Sequence, residues 1–164
     1  MNRRTFLATS MAASAAVLLS ACGFRLRGAG SMPSLPPLAL EGDTNSDLAL
    51  QLIDRLEQQG TAITDSGQWR VTLGSPTLDE RRLGGEVRGS RDHELTLNIT
   101  LSVQRREDNA YLLNGETLST STRIRINDND LLNREDLFSE AEQSLNRELT
   151  QRIIERLSAL YNAS

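Results

Sequence analysis

The most regular stretch of the chain alternates. His93, Leu95, Leu97, Ile99, Leu101 and Val103 are separated by Glu94, Thr96, Asn98, Thr100, Ser102 and Gln104. A period of two, sustained over about twelve residues, predicts a long strand with one buried and one polar face. Arg88-Gly89-Ser90-Arg91 before it and Arg106-Glu107-Asp108-Asn109 after it read as hairpin turns. The next strand runs from about Ala110 to Ile126, with Leu112, Leu118, Ile124 and Ile126 in one phase. Thr120 and Thr122 share that phase and suit a strand. Upstream, Trp69, Val71 and Leu73 alternate, Gly74-Ser75-Pro76 interrupts them, and Leu78, Leu83 and Val87 resume out of phase. A bulge or kink at the break explains the shift. The polar, Arg-rich stretch from Leu78 to Val87 then reads as a strand running out past the core.

Two segments repeat at helical spacing instead. Asp43 to Asp47 supplies several N-cap oxygens, Leu48, Leu52, Ile53 and Leu56 follow on one face, and Gly60 suits the C′ position, which predicts a helix over about 46–59. Near the C-terminus Leu137, Ala141, Leu145, Leu149, Ile153, Leu157 and Tyr161 recur every four residues, and Ile154 and Leu160 widen the stripe. With Asn133 as N-cap and Asp136 three residues later, this is a helix of about 28 residues, ~42 Å long. Leu38-Ala39-Leu40 after Pro36 and Pro37 is a short first strand. The expected fold class is α+β, in the order β-α-β-β-β-α. Two helices pack on one face of a mainly antiparallel four-stranded sheet, and the other face is polar and uncharged.

Composition narrows the chemistry. The 164 residues carry 18 basic side chains, all Arg, against 22 acidic ones, for a net charge of -4. An acidic chain with scattered Arg lacks the basic face that nucleic-acid binding needs. One Cys and one His cannot form a disulfide or a structural zinc site. His93 sits in phase with leucines and reads as a packed or edge residue, not a general base. Neither G-x-S-x-G nor H-E-x-x-H occurs. Gly84, Gly85 and Gly89 do not form a phosphate loop between strand and helix. Asn127 to Asp130 lacks the closing Glu of a calcium loop. No metal, catalytic residue or cofactor is expected. A periplasmic enzyme built on Asp79 and Glu80 is a weak rival, because adjacent strand residues point to opposite faces.

The N-terminus is a targeting signal. Arg3 and Arg4 precede an apolar, small-residue run from Ala8 to Leu19, too short to span a bilayer. Arg3-Arg4-Thr5-Phe6-Leu7 suits either twin-arginine or general export. Leu19-Ser20-Ala21-Cys22 resembles a bacterial lipobox. The implied division is a signal peptide over 1–21, a lipidated tether rich in Gly and Pro over 22–37, and a folded domain over 38–164. The Cys22 thiol would carry diacylglycerol and its amino group a third acyl chain. At ~0.8 kcal/mol per buried methylene, several chains give lasting anchorage. Gly23 lacks the Asp that resembles an inner-membrane retention signal, so the expected location is the periplasmic face of the outer membrane.

Cys22-Gly23-Phe24-Arg25-Leu26-Arg27-Gly28 resembles the mature start of the lipopolysaccharide-assembly lipoproteins of the LptE, or rare lipoprotein B, family. The pattern of short strand, helix, three strands and long C-terminal helix is similar to that family too. The resemblance implies a non-enzymatic partner role. Such proteins plug the outer-membrane β-barrel LptD, assist its assembly and help place lipopolysaccharide in the outer leaflet. It also implies lipopolysaccharide binding through basic residues. Arg88 matches the family's position before the strand 2 to strand 3 turn, Arg91 lies beside it, and Arg134 matches a position before the last helix. Arg81, Arg82, Arg88 and Arg91 cluster there, and guanidinium forks suit phosphate. Asp79, Glu80, Glu86 and Asp92 are interspersed, so a solvated, charge-balanced surface is the plainer reading of the same residues. Another outer-membrane accessory, a pilotin or barrel-assembly factor, is the alternative.

Overall fold

The computed structural model of the chain describes residues 35–84, 90–127 and 131–163. The elements are β1 (Leu38–Gly42), α1 (Asp47–Gln58), β2 (Trp69–Leu73), β3 (Thr77–Leu83), β4 (Ser90–Arg105), β5 (Tyr111–Asn127) and α2 (Leu131–Ala163). The α+β class and the helices on one face are as expected. The sheet has five strands, not four.

β4 is its spine. β5 pairs along one edge, and β2 and β3 follow one another along the other. β1 lies parallel to β2, with Leu38 opposite Trp69. The extra strand arises at Gly74-Ser75-Pro76. Leu73 faces Leu101 and Thr77 faces Asn98, so four steps on one side span three on the other. That one-residue excess inverts the side-chain phase, which is why Leu78 resumes out of step. Gly74 N–H still donates to the Thr100 carbonyl at 2.8 Å, so the two strands remain one bent ribbon.

A second irregularity corrects the reading of β5. Leu101 faces Glu116 and Val103 faces Leu113, which leaves one residue too many on β5. Gly115 absorbs it at φ +66° and donates its N–H to Ser102 Oγ at 2.9 Å. Leu113, rather than Leu112, is therefore the buried partner of Leu118, Ile124 and Ile126; Leu112 is only half-buried.

α1 starts where Ser46 Oγ accepts from Ala49 N–H at 3.4 Å. It ends as Gly60 N–H and Thr61 N–H donate back to Glu57 and Leu56 carbonyls, with Gly60 at φ +81°. Leu48, Ala49, Leu52 and Leu56 are buried in the core. α2 has 33 residues, about 50 Å at ~1.5 Å each. It begins at Leu131, so Asn133 lies inside its first turn and is not its cap. Ala141, Leu145, Leu149, Ile153, Ile154 and Leu157 join α1, Trp69, Val71, Leu73 and the apolar residues of β4 from Leu95 to Val103 in one core. Asn146, Thr150 and Thr120 are buried with them, which the leucine stripe did not forecast. Tyr161, expected in that stripe, is 42% exposed. Packing begins before β1: Leu35 is already in the core.

Candidate functional site

The first residues of β4, the last of β5 and the first turns of α2 lie together at one end of the domain. Sequence reasoning placed its site here. Arg91 is half-buried on the helix-covered face, in register with Ile126. Two residues on, His93 is 3% exposed, and its Nδ1 meets Glu80 Oε1 of β3 at 2.5 Å. A carboxylate only accepts, so Nδ1 carries the proton. Nε2 is buried without a hydrogen-bond partner. Phe138 of α2 packs edge-on against the imidazole, with centroids 6.4 Å apart, and the Arg134 guanidinium sits 5.3 Å from the Phe138 centroid. His93 is thus packed, as expected of it. Arg134 lies within α2, not before it, and its stacked position presents a cation at the helix's start.

The opposite sheet face was expected to be uncharged, and at this end it is not. Arg81 donates to Glu94 Oε2 through Nε and Nη2, at 3.1 and 2.6 Å, and Arg123 approaches the same carboxylate at 3.5 Å. Arg125 makes a two-pronged contact with Asp92, at 2.7 and 3.2 Å. These donors hold both carboxyls below their usual range: the Arg125 hydrogen bonds chiefly for Asp92, the Arg81 hydrogen bonds chiefly for Glu94. The Arg125 guanidinium is pushed up in return. Toward mid-strand the face becomes amide and hydroxyl: Thr96, Asn98, Thr100 and Ser102 on β4, Thr117, Ser119 and Ser121 on β5. The ladder was invisible in sequence because each ion pair joins residues brought opposite by register.

At the far end of β4 lies a groove of about 680 Å³. Pro36, Gln68, Trp69, Arg105, Arg106, Glu107 and Tyr161 contribute to its walls. Trp69 and Tyr161 meet edge to face, centroids 6.0 Å apart. Arg106 donates through Nε and Nη2 to the Gly67 and Asp65 carbonyls, clamping the β4–β5 hairpin to the loop before β2. Arg105 donates to Asp108 at 3.0 Å. Sequence reasoning saw only a turn here. The lone Trp was a signal, but its partners are far away in the chain.

Cys22 and Arg88 lie outside the described residues, as do the signal peptide and residues 128–130. Among the described residues no three His, Cys, Asp or Glu side chains gather for a metal, and no helix is long and apolar enough to cross a membrane.

The domain is therefore a bent, mainly antiparallel sheet with one polar face open and the other closed by a short helix and a long C-terminal one. The same fold occurs in bacterial lipoproteins. A minor lipoprotein from Acinetobacter baumannii is 21% identical, aligned over 76% of this chain and 92% of that one, with a TM-score of 0.62. An uncharacterized lipoprotein B from Nitrosomonas europaea is 16% identical over 85% and 93%, with a TM-score of 0.68. The rare lipoprotein B from Shewanella oneidensis is 17% identical over 77% and 95%, with a TM-score of 0.55. At these identities the likeness is one of fold. No family model and no curated protein sequence matches the chain.

Proposed function

We propose that this chain is an outer-membrane lipoprotein of the LptE type, acylated on Cys22 and anchored at the periplasmic face. In this reading it forms a heterodimer with the β-barrel LptD, plugs its lumen, and aids both barrel assembly and the insertion of lipopolysaccharide into the outer leaflet. It acts by contact and catalyses nothing. The observation that carries the reading is the open sheet face. It is largely polar, Arg81 and Arg123 share Glu94 and Arg125 is paired with Asp92, and its centre is hydroxyl and amide. Such a face suits the hydrated interior of an outer-membrane barrel. The fold shared with rare lipoprotein B and the Cys22-Gly23-Phe24-Arg25-Leu26-Arg27 motif support it.

Lipopolysaccharide would be held at the arginine end, its phosphates meeting Arg88, Arg91 and Arg134. Arg91 and Arg134 sit on the helix side of that end, and Arg88 precedes β4 by two residues.

Purification of the acylated chain from detergent-solubilised membranes tests the partner. A large barrel protein at equal stoichiometry is expected; a secretion pore or barrel-assembly complex in its place establishes the accessory alternative and overturns the proposal. Arg88→Glu tests the ligand. Lipopolysaccharide binding in low salt should weaken by roughly tenfold, as for the loss of one charge-assisted contact and its replacement by repulsion. Unchanged binding with an unchanged circular dichroism spectrum removes Arg88 from the site.

A further inference from the structure

The bulge in β5 carries the sequence Asn114-Gly115, and no other Asn of the chain is followed by Gly. Both residues are exposed. Leu101 faces Glu116 and Val103 faces Leu113, so Ser102 alone stands opposite the pair. The Gly115 N–H is therefore held not by a main-chain carbonyl of β4 but by the Ser102 hydroxyl, at 2.9 Å. Breaking a ladder bond means parting two strands. Breaking this one takes only a turn of one side chain to another rotamer.

The difference matters because of what these two residues can do to each other. The side-chain carbon Cγ of an Asn can close a five-membered ring with the main-chain nitrogen of the next residue. Gly offers that nitrogen with no Cβ to obstruct the approach. The neighbouring asparagines are worse placed. Asn98 lies within β4 and is followed by β-branched Ile99. Asn109 is followed by Ala110, whose N–H donates to Asp108 Oδ1 at 3.1 Å. Ring closure requires the Gly115 nitrogen to lose its proton, and the bond to Ser102 Oγ holds that proton in place.

We propose that Asn114 is a site of spontaneous deamidation and that the Ser102 hydroxyl sets its rate. When the hydroxyl turns away, hydroxide takes the Gly115 proton and the nitrogen attacks Asn114 Cγ. The N–Cγ bond forms, the Cγ–Nδ2 bond breaks, and the side-chain nitrogen leaves as ammonia, which gives a cyclic imide. Water then opens the ring at either carbonyl. One opening yields aspartate on an unchanged main chain; the other yields isoaspartate, with one extra methylene in the main chain. Asn and water go to Asp or isoaspartate and ammonia, with nothing oxidised or reduced.

Either product puts a new carboxylate close to Glu116, which holds Arg156 of α2 at 2.9 and 2.7 Å. Isoaspartate also lengthens β5 where one surplus residue is already accommodated. The register that pairs Leu113 with Val103 and buries it cannot survive a second irregularity there. Modification thus loosens the start of β5 irreversibly.

The test is a rate at one residue. The full chain is incubated in mildly alkaline buffer and digested, and the peptide spanning Asn114 is resolved into Asn, Asp and isoaspartate forms by chromatography and mass spectrometry. Ser102→Ala should raise conversion at Asn114 roughly threefold or more, the rate equivalent of one ordinary hydrogen bond. Asn98 and Asn109 should keep their rates. Ser102→Thr retains a hydroxyl and should stay near the parent. Chain unfolded in urea gives the unrestrained rate, which should exceed all three. Equal rates at Asn114 in the parent and Ser102→Ala, a rise shared by Asn98 and Asn109, Ser102→Thr behaving like Ser102→Ala, or no conversion at Asn114 even in the unfolded chain overturns the proposal.

Discussion

The two halves of β4 hold their neighbours in different ways. From Ile99 to Arg105 the strand lies between β2 and β5, and its inner face is sealed by apolar side chains from both helices. From Ser90 to Asn98 it lies between β5 and β3, and no residue of β3 is buried. The inner face there is still covered, by Leu95, Leu97 and Phe138, but β3 is attached by cross-strand pairs: Glu80 to His93, Arg81 to Glu94, Asn98 to Asp79. One half concentrates the burial that stabilises the fold. The other, relieved of that task, can extend charged strands beyond the core. A small domain needs such a division to present a charged end without dissolving its own centre.

The sharpest way to break this comparison is to make the same deletion in each half. Leu52 of α1 is fully buried, and Leu78 of β3 is 39% exposed. Leu52→Ala should cost about 2–5 kcal/mol, the transfer term plus the cavity left behind. Leu78→Ala should cost under about 1 kcal/mol, as for an exposed site. Urea unfolding of the two variants measures the difference. Equal losses would show that β3 belongs to the same tightly packed core, and the division would be wrong.

A smaller contrast comes from two glycines of similar backbone conformation. Gly42, at φ +87°, is the last residue of the β1–β2 pairing, opposite Leu73, and a Cβ there would stand 2.1 Å from the Leu73 carbonyl oxygen. Gly84, at φ +83°, directly follows β3, and a Cβ there would meet nothing within 4 Å. Both alanine variants carry the left-handed backbone cost of ~1–2 kcal/mol. Gly42→Ala adds an overlap with backbone that must move, about 1–3 kcal/mol more. Thermal unfolding should place Gly42→Ala well below Gly84→Ala. The reverse order would mean that the Gly84 turn is the more constrained of the two.

The compact half was also the more legible. Strict alternation in β4, the run of capping oxygens before α1 with the Gly60 stop after it, and the four-residue repeat of α2 were each readable, although which of Asp43 to Asp47 caps the helix was not. The break at Gly74–Pro76 showed as a change of phase, though not as two separate strands. The bulge at Gly115 did not show, because moving burial from Leu112 to Leu113 leaves two adjacent leucines looking alike. α2 starts three residues early for a similar reason: Asn133 has the chemistry of a cap, but Leu131 and Leu132 ahead of it are good helix formers. Least legible was the arginine end. The cluster Arg81, Arg82, Arg88 and Arg91 was visible, and so was the reading that balanced it with nearby acids. Which arginine meets which acid depends on register. Arg123 and Arg125, far along the chain, turned out to share Glu94 and Asp92.

That pairing gives the smallest and most local effect, a loosening with pH. Asp92 and Glu94 are held below their ordinary values, 3.8 and 4.5, by the Arg125 and Arg81 hydrogen bonds. A carboxyl whose folded pKa lies below its unfolded one binds fewer protons when folded. Its contribution is complete above the unfolded value and is lost as pH falls through the folded one. The pairs are exposed and screened, so global stability should change little. The change should appear in amide protection along β3 and the first half of β4. As pH is lowered from about 5 through the ordinary carboxyl range and below it, those protection factors should fall while the ones in β2 hold. Raising the salt at pH 6 should produce a weaker version of the same pattern. Arg81→Gln should weaken β3 already at pH 6 and flatten its further response to acid, whereas Arg125→Gln should act on the β4–β5 pairing instead. Parallel loss in β2 and β3 would show that the two halves open as one unit and that the ion pairs do not hold the outer strand.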